Sequence, residues 1–120
     1  MVQPWVVTAS DGTNGHPRKY ASFPQKYQQY VRKKSLLTLG EFIKQSSSST
    51  ANILGFKDRG ELKLGNIADI IVFDADEFSV NADFSHWNKY SSGVEQVWIN
   101  GQHVIKDSRY QEKLAGKFVH

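Results

Sequence analysis

Asp11 is the acid best placed for chemistry in this chain. It follows the apolar run Trp5-Val6-Val7-Thr8-Ala9 and Ser10, and it precedes Gly12. The run reads as a buried strand, and the polar, glycine-rich stretch behind it as the loop leaving the strand's C-terminal end. In open parallel sheets and in barrels of alternating strands and helices, that end is where sites form. A carboxylate there can take a proton from a metal-bound water and pass it to a leaving amine. The same Asp-Gly pair also makes an ordinary turn. His16, Pro17 and Arg18 lie farther along this loop. Pro17 pushes His16 toward an extended backbone. Arg18 can hold a carboxylate through two parallel hydrogen bonds, or it can pair with a surface acid.

The remaining chemistry is sparse. The chain has four histidines, His16, His86, His103 and His120, and no cysteine. No two of them share a metal-ligand spacing with each other or with a carboxylate. His103 is placed to stack on Trp98 across a hairpin, and His86 and His120 read as surface residues. Ser10 lacks a histidine base at any recognisable spacing, and there is no G-x-S-x-G motif or P-loop. A metal site built wholly from this chain is therefore not expected.

The elements that must position Asp11 follow from patterning. A helix is expected to begin near Pro24, with Tyr27, Tyr30 and Val31 forming one apolar stripe. Arg32, Lys33 and Lys34 at its end complement the helix dipole and read as a solvated helix end, not a nucleic-acid patch. Thr38 and Glu41 form a T-x-x-E capping box for a second helix with Leu39, Phe42 and Ile43 on its buried face. The serine run from Ser46 to Ser49 reads as a polar corner. A third helix around Thr50 to Leu54 is expected to stop at Gly55.

Beyond about Asp58 the chain reads as strands and turns. Ile70-Ile71-Val72-Phe73 is apolar on both faces, the pattern of a strand covered on both sides. Fully burying each of these side chains is worth about 1.5–3 kcal/mol. Glu77 to Ser92 has little periodicity, and Trp87 and Tyr90 are expected to anchor it. Asn100-Gly101 between two apolar runs predicts a hairpin over Val94 to Ile105. Its two-residue turn pairs Ile99 with Gln102, Trp98 with His103 and Val97 with Val104, with Val97, Ile99 and Val104 on the inner face. A last short strand is expected at Lys117 to Val119.

Composition sets outer limits. The 120 residues fit one domain or part of a larger one, and 39% hydrophobic content supports a packed core. Net charge is +3, and the excess is spread thinly. No apolar run approaches the roughly 20 residues of a membrane span. The N-terminus shows no signal-peptide pattern, so a cytoplasmic setting is expected, with neither nucleic acid nor membrane as partner.

Several stretches together resemble the N-acyl-D-amino-acid deacylases, or D-aminoacylases, of the amidohydrolase superfamily. They are Ser10-Asp11-Gly12, Gly15-His16-Pro17-Arg18 and Phe23-Pro24, then Tyr30-Val31-Arg32 and Leu36 to Glu41. Leu54 to Gly60, Leu64 to Asp74, Gly93-Val94 and Val97 to Gly101 continue the resemblance over nearly the whole chain. Ser108 stands where that family usually has a glycine in the closing turn.

The resemblance implies an α+β segment. Residues 1–57 would be the end of the catalytic (β/α) barrel: its last strand, an active-site loop and helices. Residues 58–120 would be part of the small β-sandwich domain, with its closing hairpin. The activity implied for the intact enzyme is hydrolysis of the amide bond of an N-acyl-D-amino acid by metal-activated water. Its zinc ligands would lie on earlier barrel strands that this chain lacks, so no zinc is expected on this chain alone, and the chain alone is expected to be inactive. Asp11 is then the implied general base and acid, with Arg18, and His16 beside it, the implied holders of the substrate's free carboxylate. The alternative is a non-catalytic assembly module that pairs with itself, as a homo-oligomer, or with a partner carrying the missing barrel portion.

Overall fold

A computed structural model describes residue 3 and residues 5–119. Its elements run α1 (Arg18–Lys26), a π-helix (Tyr27–Lys33), α2 (Leu39–Ser46), α3 (Ser48–Leu54), and strands β1 (Ile70–Phe73), β2 (Val94–Ile99), β3 (Gln102–Lys106) and β4 (Arg109–Tyr110). The strands form one antiparallel sheet in the order β1-β2-β3-β4. Among the described residues no helix is long and apolar enough to cross a membrane.

Helices and sheet meet at one aromatic cluster. Tyr27, Phe42 and Phe78 are buried, and Val31, Phe73, Ala75 and Val94 pack against them. Ring centroids lie 5.4 Å apart for Tyr27–Phe42, 5.5 Å for Tyr27–Phe78 and 5.0 Å for Phe73–Phe78, within the range of favourable aromatic pairs. The Tyr27 hydroxyl donates to the Ala75 carbonyl at 2.7 Å, so its polar end is satisfied while its ring is buried. Lys26 is also buried, with Nζ donating to Gln45 Oε1 at 2.8 Å and lying 5.8 Å from the Phe42 ring centroid. Burial pushes its ammonium pKa below the usual lysine value.

The helical half departs from the sequence reading at its start. The first helix begins at Arg18, and Pro24 sits inside it instead of opening it. Proline offers no N–H to the preceding turn. The helix continues past it by widening into the π-helix, where Tyr27 keeps its place in the core. The expected capping box is present. The Glu41 N–H donates to Thr38 Oγ1 at 3.2 Å, and the Thr38 N–H donates to Glu41 Oε2 at 2.7 Å. The Thr38 N–H, and the Thr38 hydroxyl donating to Glu41 Oε2 at 2.8 Å, hold the Glu41 carboxyl below the usual carboxylate range. Of the expected buried face of α2, only Phe42 is buried, while Leu39 and Ile43 are exposed. The serine corner is shorter than expected, because Ser48 already opens α3. That helix ends at Gly55 with φ 76°, as expected.

The strand at residues 70–73 is where the sequence placed it, but it is not covered on both sides. It is an edge strand, and Ile71 and Val72 are 52% and 41% exposed. Its flanking acids have structural partners that patterning did not reveal. Asp69 accepts the Asn100 N–H at 2.8 Å and Arg59 Nη1 at 2.8 Å, tying the strand to the hairpin turn. Asp74 Oδ1 accepts the N–H groups of Asp76 at 2.8 Å and Glu77 at 3.3 Å, a turn that delivers Phe78 to the core.

The hairpin turn forms with Asn100 and Gly101 both at positive φ, 49° and 75°. Ile99 pairs with Gln102 and Trp98 with His103, as expected. A bulge then shifts the ladder, so Val97 faces Ile105 and not Val104. Val104 is buried, Val97 half-buried and Ile99 exposed, so the expected inner face is only partly realised. No strand forms at Lys117 to Val119; the fourth strand is Arg109–Tyr110 instead. It follows a turn in which Asp107 and Ser108 both carry positive φ, 49° and 62°. That conformation is the physical reason a glycine suits position 108.

Gly93 is the least replaceable turn residue. Its φ is 79°, and a Cβ there would lie 2.5 Å from the Phe78 nitrogen and 2.6 Å from the Glu77 carbonyl carbon. Both obstacles are backbone, so neither can rotate away. Gly93→Ala is expected to cost about 2–3 kcal/mol from overpacking and left-handed strain together. Chemical denaturation of the two proteins measures it, and a cost under about 0.5 kcal/mol would contradict this packing.

Candidate functional site

Of the sequence-predicted site residues, Asp11 and His16 lie on the loop between Ala9 and α1, and Arg18 is the first residue of α1. The strand expected at Trp5 to Ala9 is not formed. Trp5 is 69% exposed, and residues 6–13 follow an irregular path among the described residues. A parallel barrel strand is held by the hydrogen bonds of its neighbours, and none of the four strands of this chain pairs with it.

Even so, the loop brings its chemistry together. Asp11 has a left-handed φ of 44°, which turns the chain back toward α1. Asp11 Oδ2 and Arg18 Nη1 lie 2.5 Å apart, with side chains 81% and 39% exposed. The Arg18 backbone N–H donates to His16 Nδ1 at 3.1 Å. That bond requires the neutral His16 ring to carry its proton on Nε2. The ring packs edge-on against Phe84, 5.1 Å between centroids. Gly12 lies close to α1, since a Cβ there would sit 3.0 Å from Lys19 Cβ. Pro17 caps the helix start, its carbonyl accepting the Tyr20 N–H at 2.9 Å and the Ala21 N–H at 2.8 Å.

Two features of this start are not what helix stability asks for. The first turn opens with Arg18 and Lys19 and holds no acidic residue, so positive charge sits at the positive end of the dipole. Arg18 Nε is buried without a hydrogen-bond partner. Asp11 offsets part of the charge, but an exposed ion pair is worth only about 0–1 kcal/mol. The pair therefore ties the loop to α1 only weakly. Thr8 Oγ1, on the approach to Asp11, is also buried and unpartnered. The sequence signals it only as the one polar residue inside an apolar run.

The other histidines stand apart from this loop. His103 stacks on Trp98, centroids 4.3 Å apart and rings 9° from parallel, and its Nε2 meets Gln96 Oε1 at 2.7 Å. His86 is exposed; its backbone N–H and that of Ser85 bond Asp83, and its own N–H heads the causes holding that carboxyl below the usual range. His120 lies outside the described residues. Trp87 and Tyr90 lean on Tyr20 of α1, at 6.1 and 5.5 Å between centroids. Among the described residues no three His, Asp or Glu side chains converge to hold a metal ion. Asp11 and His16 alone do not make a zinc cage, which takes three or four ligands.

Comparison with known proteins places this loop in context. The model of the amidohydrolase family matches residues 3–105. N-acyl-D-glutamate deacylase of Alcaligenes xylosoxydans xylosoxydans is 36% identical over 99 residues, 79% of this chain and 20% of that protein. A crystal structure of D-aminoacylase superposes with a TM-score of 0.84 at 30% identity, over 92% of this chain and 24% of that one. The N-acyl-D-glutamate deacylase of Bordetella bronchiseptica was solved with zinc and a phosphonate that mimics the tetrahedral intermediate. It superposes at 0.81 with 31% identity, over 96% of this chain and 26% of that one. The chain thus spans about a fifth to a quarter of the length of these relatives. With its mixed helices, its small antiparallel sheet and a family match over most of its length, this chain belongs to the amidohydrolase family.

Proposed function

We propose that this chain is the C-terminal portion of a deacylase that hydrolyses the amide bond of N-acyl-D-amino acids. Residues 1–57 contribute the end of the catalytic barrel with its active-site loop, and residues 58–120 part of the small β-sandwich. The observation that carries the reading is the pair between Asp11, on the loop before α1, and Arg18, the first residue of α1. It joins a carboxylate able to move a proton to a cation able to hold an acid substrate. Support comes from the helix start, where Arg18 is placed against the dipole and its Nε has no partner. A residue kept against local stability is what a functional site looks like.

In this reading each residue has one task. Arg18 exchanges Asp11 for the free carboxylate of the acyl-amino acid, and this releases Asp11. Asp11 then accepts a proton at its carboxylate and delivers it to the departing amine nitrogen. His16, oriented through Nδ1, presents its Nε2–H toward the same substrate carboxylate. In this reading the zinc ligands of the whole enzyme lie on its earlier barrel strands, and this chain alone is expected to be inactive.

A chimera tests the assignment. A D-aminoacylase whose matching segment is replaced by this chain should release D-amino acids. Arg18→Ala in that chimera should raise KM about 10–100-fold, the loss of one charge-assisted pair, with kcat little changed. A substrate whose carboxylate is blocked as an amide should not feel the substitution. An equal loss on both substrates would remove Arg18 from carboxylate binding.

A further inference from the structure

β1 and β2 are antiparallel neighbours, which a hairpin loop of about two to five residues could join. Residues 74–93 join them instead. A connection of that length without helix or strand is usually either disordered or functional. This one is tied down along its course. Ser79 and Ser92 exchange backbone hydrogen bonds at 3.4 and 3.1 Å. Asn81 Nδ2 donates to the Tyr90 carbonyl at 2.9 Å and to Ser92 Oγ at 2.8 Å. At the tip, Asp83 Oδ1 accepts the N–H groups of Ser85 at 2.9 Å and His86 at 2.6 Å, a turn that holds Phe84 within it. The aromatic side chains of this connection reach the start of α1. Trp87 and Tyr90 lean on Tyr20, and Phe84 meets His16 with 79° between the ring planes and 5.1 Å between centroids. A side chain from the sheet half of the chain thus bears on the loop that carries Asp11.

That contact acts on one degree of freedom. The His16 ring hangs from its backbone by two rotatable bonds. The Arg18 N–H, at 3.1 Å, holds only Nδ1. A single hydrogen bond on one ring atom leaves the ring able to rock about that atom, and Nε2, on the far side, then swings most. A second aromatic ring with a preferred perpendicular geometry restricts the motion. Direction matters at Nε2, because a hydrogen bond weakens steeply as it bends. Nε2 is also the nitrogen that carries the proton in the neutral ring, since Nδ1 accepts from Arg18.

We propose that Phe84 is a positioning residue for the site: acting through His16, it holds the imidazole in the orientation that offers Nε2–H to the substrate carboxylate. Its role rests on the reading of His16 as a holder of that carboxylate. Phe84 lies outside the buried cluster of Tyr27, Phe42 and Phe78, so its replacement leaves that core intact.

Two measurements test it. In NMR spectra of the full chain, the His16 and Phe84 ring protons should show a mutual Overhauser effect. Phe84→Ala should shift the His16 ring signals, and Phe84→Tyr should leave them in place. In the D-aminoacylase chimera carrying this chain, Phe84→Ala should raise KM about two- to tenfold for an N-acyl-D-amino acid, with kcat little changed, and Phe84→Tyr should restore it. The same substitution should have no effect on a substrate whose carboxylate is blocked as an amide, and none once His16 is already alanine. Absence of the ring contact, an equal KM rise on both substrates, or an undiminished rise in the His16→Ala background would overturn the proposal. If His16→Ala raises KM and Phe84→Ala does not, the proposal fails and the reading of the site stands. If His16→Ala leaves KM unchanged, the reading of His16 fails and the role of Phe84 falls with it.

Discussion

Tyr27→Ala is expected to cost about 3–5 kcal/mol, the range for removing a large aromatic from a core. That is a large fraction of the 5–15 kcal/mol that holds a typical domain together. The effect should be large here because few residues do the same work. Tyr27 touches Phe42 of α2, Phe73 of β1 and Phe78 of the connection, and its hydroxyl bonds the Ala75 carbonyl. Helices and sheet share little other buried aromatic contact. Tyr27→Phe, which keeps the ring and loses the hydrogen bond, should cost only about 0.5–1.5 kcal/mol. Urea denaturation followed at both helix and aromatic signals measures both. A cost below about 1 kcal/mol for Tyr27→Ala would mean that this cluster is not what joins the two halves.

How far the sequence disclosed this arrangement depends on whether a signal was local. The capping box at Thr38 and Glu41, the stop at Gly55, the strand at residues 70–73 and the Asn100-Gly101 turn are each set by neighbouring residues, and each was legible. The stacking of His103 on Trp98 followed from the turn alone. Phe78 was not legible, because it sits in a polar stretch without periodicity and reaches the core through the Asp74 turn. The π-helix after Pro24 was not legible either, since patterning at 3.6 residues per turn does not anticipate a widened one. The bulge that shifts Val97 onto Ile105 leaves no mark in an alternating pattern.

The remaining misses share one cause. Trp5 to Ala9, Leu39, Ile43, Ile71 and Val72 all read as buried, yet Trp5, Leu39, Ile43, Ile71 and Val72 are exposed and the first run pairs with no strand. Hydrophobic patterning reports the surroundings in which a segment is used. Here those residues face surface that the chain itself does not cover. In the candidate site, the nearness of Asp11, His16 and Arg18 was legible from their spacing on one loop. The direct bond between Asp11 and Arg18 needed the left-handed turn at Asp11 and was not.

Asp11→Asn carries the largest expected effect on catalysis. Asparagine keeps the size of the side chain and its hydrogen-bonding oxygen, but it cannot take up and return a proton near neutral pH. General acid–base assistance of this kind is worth about 10²–10⁴-fold in rate. Arg18 would remain free to hold the substrate carboxylate, so binding should be preserved or modestly improved.

The most direct measurement is the rate of D-amino-acid release by a zinc-loaded D-aminoacylase chimera carrying this chain, with and without Asp11→Asn. The predicted result is an active parent and a variant slower in kcat by at least about 10²-fold, with KM unchanged or modestly lower and zinc content unchanged. A variant that keeps its rate within a few-fold, with the same zinc content, would contradict the assignment of Asp11 as the proton carrier. So would a folded, zinc-loaded parent that releases nothing.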